Sequence, residues 1–185
     1  MKISKIKALC KKEQRVMIYT ETGPGGEIVQ QYISSGTVIV PIEGLPLLEP
    51  SNIPTLFSLN DKALEKMSLQ AAPLPENMPV GDLDRDDELL FPLSVRIVAG
   101  KATLLPFMTA DGGTVFLDEA RLGAVQSKIP QFALRYVGEI SRVPVVAVMD
   151  GIFLAGLVLP TILTDETIKE LLIIKMAAEK ERGNA

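Results

Sequence analysis

The chain contains no histidine and a single cysteine, Cys10. Without histidine it lacks the usual general base near neutral pH, the commonest metal ligand, and any Ser-His or Cys-His dyad. One cysteine cannot close a disulfide within the chain, and zinc sites built from three or four Cys and His ligands are excluded as well. Aromatics make up only 5% of the residues, so no basic segment is interleaved with the stacking rings that single-strand binders use. Uninterrupted apolar runs are also missing. The longest, Val143 to Leu163, is broken by Pro144, Asp150, Gly151, Gly156 and Pro160, where a hairpin turns. It reads as a buried hairpin with no membrane partner. No apolar run follows the opening lysines, so a cytoplasmic setting is expected. These absences leave no catalytic residue, metal ligand or cofactor to nominate, and the expectation is a protein that is not an enzyme.

What is present is material for a core. The 185 residues are 47% hydrophobic and 23% charged, enough to bury a substantial interior as one large domain or two small ones. Ser4 can cap a helix running to Lys12, with Ile3, Ile6, Leu9 and Cys10 as its inward stripe and Lys5, Lys7, Lys11 and Lys12 mostly outward. Three strands follow, at Arg15 to Glu21, Ile28 to Ile33 and Thr37 to Ile42, turned at Gly23-Pro24-Gly25-Gly26 and at Ser35-Gly36. Asn52 to Met67 is weakly helical and is interrupted by Pro54 and Asn60-Asp61.

Between 70 and 89 the texture changes to Pro73, Pro75 and Pro79 followed by Asp82, Asp84, Asp86, Asp87 and Glu88. Such a segment buries little apolar surface and is expected to be an exposed acidic linker or mobile loop. It divides the chain into a first unit, 1–69, and a second, 90–185. In the second unit a hairpin is expected at Leu90 to Ala99 and Lys101 to Thr109, then a strand at Thr114 to Leu117 after Asp111-Gly112-Gly113. Asp118 can cap a helix to Gln126. Strands follow at Gln131 to Glu139, Val143 to Met149 and Ile152 to Leu159. Thr164 opens a final helix with Ile168, Leu171, Leu172 and Met176 on one face.

Several local patterns imitate sites and fail on their spacing. Asp82, Asp84 and Asp86 match the first ligand positions of a calcium loop, but Asp87 stands where the turn glycine belongs and Leu93 where the bidentate glutamate belongs. No Lys-Ser/Thr follows the 23–26 glycine run, and the next element is a strand, so it offers no helix terminus to a phosphate. Ser34-Ser35 lacks the glycines of a nucleophile elbow. Asp111, Asp118 and Asp150 could form a carboxylate-only site, but each occupies a turn or cap position that already accounts for it.

The two halves echo one another. Residues 4–46 overlay 118–160 at an offset of 114 to 115, with turn glycines Gly36 and Gly151 and the Leu45-Pro46 and Leu159-Pro160 pairs in register. The expected fold is therefore α+β: two pseudo-symmetric helix-plus-antiparallel-meander units with a C-terminal helix. With Met1 to Ile3 and Thr114 to Leu117 as leading strands, this order resembles the βαβββ building block of the DNA sliding clamps. That resemblance implies helices sharing one side, sheets on the other, double-stranded DNA as partner, a homo-oligomer where a ring is to close, and a groove between units for a partner peptide.

Charge layout bears on the same point. The chain carries a formal net charge of −4, yet its first fifteen residues hold Lys2, Lys5, Lys7, Lys11, Lys12 and Arg15 against the single acid Glu13. Lys5, Lys7, Lys11 and Lys12, with Arg121 from the second helix, are the candidate phosphate contacts, suited to binding backbone without reading bases. Two other readings stay open: lysines that only solvate an amphipathic helix, and a homo-oligomeric assembly protein with no nucleic-acid role.

Overall fold

The computed structural model describes residues 3–125, 127–138, 140, 142–163 and 167. Helix α1 (Ile3–Glu13) buries Ile6, Leu9 and Cys10, spaced to share one face, and exposes Ser4, Lys5, Ala8, Lys11 and Lys12. Lys11 and Lys12 fall in its last turn, where cations offset the partial negative charge of the carbonyl end. The chain leaves the helix through Gln14 at φ 54° and enters a meander of β1 (Arg15–Thr22), β2 (Ile28–Ser34) and β3 (Val38–Pro41). Gly36, at φ 101°, makes the second turn, and Arg15 Cδ lies 3.3 Å from where a Cβ would stand. The conformation disfavours a side chain there, and Arg15 would have to shift by a few tenths of an ångström to admit one.

Two short helices follow, α2 (Ile53–Phe57) and α3 (Asp61–Leu64), the latter capped by Asn60, whose side chain accepts from Ala63 N. They lead to β4 (Ser68–Pro73), which runs parallel to β1 from Arg15↔Ser68 to Thr20↔Pro73. After the 74–87 loop come β5 (Glu88–Leu89), β6 (Phe91–Pro92), β7 (Ile97–Ala99), β8 (Ala102–Met108) and β9 (Thr114–Asp118). Helix α4 (Glu119–Leu122) then precedes a second meander of β10 (Pro130–Val137), β11 (Val143–Asp150) and β12 (Phe153–Val158).

The two meanders join edge to edge. β3 pairs antiparallel with β12 through Val38↔Val158 and Ile39↔Leu157, giving an eight-stranded sheet in the order β4-β1-β2-β3-β12-β11-β10-β5. A smaller sheet holds β6, β8 and β7, with β9 on β8. Side-chain alternation along the large sheet separates two apolar layers. On one face Val16, Ile18, Ile33, Val38, Val146 and Val158 pack with Ile6, Leu9, Cys10, Phe57, Phe107 and Leu117, drawn from the helices and the small sheet. On the other, Ala133, Val145, Ala147, Met149 and Leu157 meet Met78, Val80 and Leu83 from the 74–87 loop. Phe107 carries the small sheet onto the large one, its ring 4.7 Å from that of Phe132.

The mixed α/β character and both meanders agree with the sequence expectation; several details differ. Ile3 belongs to α1, not to a leading strand, and Met1 and Lys2 lie outside the described residues. β9 is a strand as expected, but it pairs with β8 in the small sheet. The helix capped by Asp118 is a single turn that ends at Leu122, before Gly123. Leu45 and Pro46 fall after β3, which already ends at Pro41. The final helix lies outside the described residues except for Thr167, which is helical.

The 70–89 segment is not a free linker. Its first residues belong to β4, and its last, Glu88 and Leu89, form β5 against β10. Between them Arg135 of β10 gathers the loop. Its Nε and Nη2 bond the Asp87 carboxylate, Nη1 donates to the carbonyls of Pro79 and Gly81, and Nη2 also donates to that of Asp82. The apolar side chains this loop does carry, Met78, Val80 and Leu83, are what cover the outer face of the sheet. No helix among the described residues is long and apolar enough to cross a membrane, and the Val143 to Leu163 run contains the β11–β12 hairpin.

Candidate nucleic-acid interface

The five candidate contacts separate into four groups. Lys5 and Lys12, seven residues apart on α1, line a shallow cleft of about 280 Å3 with Ala8, Glu119, Ala120 and Gly123, so α1 and α4 lie side by side. Both lysines are exposed. Lys11 is exposed too, but opens on the opposite flank, toward α3. Lys7 is half-buried with its ammonium 5.6 Å from the centre of the Phe57 ring, a cation–π contact that ties it to α2. None of these lysines forms an ion pair among the described residues.

Arg121 is already engaged. Its Nη1 donates to Leu159 O at 3.2 Å and its Nε lies 3.9 Å from Glu13 Oε1, while Glu13 Oε1 accepts from Thr37 Oγ1 at 2.5 Å. These bonds knit α4 to the end of β12 and to α1. Beside them Glu119 pairs with Arg96 at 3.1 Å. The α1–α4 seam thus contains its own carboxylates and is closer to neutral than the sequence suggested.

The carboxylates weighed as a catalytic group do structural work and lie on separate elements. Asp118 Oδ1 accepts from Ala120 N at 2.8 Å and caps α4. Asp150 Oδ1 accepts from Lys128 N, Ile129 N and Ser127 Oγ at 2.8, 2.9 and 3.0 Å, and those donors, Ile129 N–H foremost, hold its carboxyl below the usual range. Asp111 is lowered by the Thr109 hydroxyl and then by Gly113 N–H inside its turn. The Cys10 thiol, donating to Ser34 O at 3.9 Å, is pushed up to about 12 by burial, with Glu13 adding to the shift. Burial and a 2.9 Å bond to Glu21 raise the Tyr32 hydroxyl. Among the described residues no three His, Cys, Asp or Glu side chains are grouped to hold a metal ion.

Two features escaped the sequence. One is the Arg135 clasp. The signal lay in a charge set between apolar Ala133 and Val137 on one face of a strand, in a chain that also carries a run of acids. The other is an apolar groove of about 230 Å3 on the outer face of the large sheet, lined by Met17, Ile39, Val145 and Leu157, roofed by Met78 and edged by Arg15. No protein-family model, no curated protein and no solved structure matches the chain.

Proposed function

We propose that this protein is a non-catalytic, DNA-associated protein of clamp-like architecture, meeting the backbone of duplex DNA through α1. The observation that carries the proposal is the polarity of charge across the large sheet. On the face covered by the helices the four lysines of α1, Lys5, Lys7, Lys11 and Lys12, outnumber its one acid, Glu13, whereas exposed Asp82, Asp84 and Asp86 sit on the loop that covers the other, with Arg85 the only cation among them. Such a molecule orients toward a polyanion by one face while its net charge stays negative. Each meander follows a helix, and the two adjoin through their third strands, β3 and β12, as two units related by an approximate twofold axis would. The groove under Met78 is the natural seat for a partner peptide.

Retention on closed-circular and on linearised duplex, compared over several salt concentrations, tests this function. Salt-sensitive retention without base preference is expected, and release on linearisation marks encirclement. No retention at the lowest salt refutes it.

A second reading, a homo-oligomeric assembly protein without a nucleic-acid role, is favoured by the sheet edge. β4 presents Ser68, Leu69, Gln70, Ala71 and Ala72 with no charge before Pro73, and edges left unprotected in this way pair with other chains. Its mark is an oligomeric mass in solution that duplex DNA does not alter.

A further inference from the structure

We propose that a backbone phosphate is received on the α1–α3 flank, between Lys11 and Lys66, and not along the α1–α4 seam; this rests on the DNA-backbone function above and specifies its site. Two clefts border α1. The seam cleft holds Lys5 and Lys12 but includes Glu119, and the Glu13–Arg121 pair lies beside it. The other cleft, about 260 Å3, is lined by Lys11 and Gln14 at the end of α1, by Ser58 and Asn60 between α2 and α3, and by Lys66 after α3. No carboxylate lines it, although Asp61 and Glu65 flank it in sequence.

Its polar complement is suited to an anion. Lys11 and Lys66 come from separate elements and neither has an ion pair among the described residues, so an anion between them relieves their repulsion. Asn60 Oδ1 accepts from Ala63 N, and its amide N–H groups are the donors it can offer a ligand. Two ammonium groups and amide donors, with no acid among them, suit an anionic acceptor such as the oxygens of a phosphodiester. Lys66 thereby joins the contact set, and Lys5 and Lys12 act at longer range.

The test is the salt dependence of binding to a duplex of arbitrary sequence, about 20 base pairs long, followed by fluorescence anisotropy from about 50 to 200 mM salt. Removing one phosphate-binding cation flattens the slope of log affinity against log salt by about one unit, so Lys11→Ala and Lys66→Ala are each expected to do so, and the double variant to flatten it by about two. Lys66→Arg is expected to keep the wild-type slope. Lys101→Ala, at the exposed tip between β7 and β8, is the control and is expected to change nothing. If Lys5→Ala and Lys12→Ala flatten the slope while Lys11→Ala and Lys66→Ala do not, the phosphate sits on the seam and the inference falls while the function stands. If the wild type fails to bind at the lowest salt, both fall.

Discussion

Replacing Arg135 by alanine removes the group that holds the 74–87 loop against the sheet. The Arg135 and Asp87 side chains are only 9% and 11% exposed, and the guanidinium serves one carboxylate and three carbonyls. Taking it away strands Asp87 in a largely desolvated site and leaves Pro79, Gly81 and Asp82 without this donor. Breaking a buried pair from one side costs about 3 to 5 kcal/mol, and because the loop can open to water the lower end applies, about 3 kcal/mol. For a chain of this size that is a fall in Tm of about 6 to 12 °C. Thermal and urea unfolding would measure it, with tryptic cleavage at Arg85 reporting the loop itself. Lysine does not rescue, since it lacks the planar fork.

The pH dependence carries its own sign. The Arg135 bonds, ahead of the opposing effect of burial, hold the Asp87 carboxyl below its ordinary value. A depressed acid stabilises the fold at pH values above its unfolded pKa of about 3.9, and that contribution is lost as pH falls through the lower folded value. The gap between wild type and Arg135→Ala is therefore constant near neutrality and narrows below about pH 4. A destabilisation under about 1 kcal/mol, or a gap that does not narrow in acid, refutes this account of the loop.

Three other outcomes are expected. A Cβ at Gly156 meets Ile39 O at 2.7 Å and Val40 Cγ1 at 3.0 Å, so Gly156→Ala forces β12 from β3 and lowers urea stability by about 1 to 3 kcal/mol; a neutral result means the halves are not joined there. Phe107→Ala, at a site only 2% exposed, costs about 3 to 5 kcal/mol in the same assay and releases the small sheet from Phe132. With its thiol pushed up to about 12 and buried, Cys10 in the folded protein reacts with alkylating reagents at pH 8 far more slowly than in denaturant.

The meanders were legible because their signals are local. Alternation at the start of β1, the apolar run of β11, and positive-φ turns at Gly36 and Gly151 depend on neighbours in sequence. What was hidden depends on distant partners. β4 lies within a span that reads as helix and then linker, and only its parallel register with β1 makes it a strand. The β3–β12 junction has no local mark except Gly156, small because Ile39 O comes close. At the candidate interface the lysines of α1 could be read as outward, but the engagement of Arg121 by Glu13 and Leu159 could not, because those partners are far from it along the chain. Charge run and acidic run were each visible; their placement on opposite faces of one sheet was not.

The most direct measurement is the slope of wild-type duplex affinity against salt. Between three and five phosphate contacts give a value of about −2.7 to −4.5 on the double-logarithmic plot, the same for unrelated sequences. A slope near zero, or no binding at about 50 mM salt, contradicts the assignment of α1 to nucleic-acid backbone.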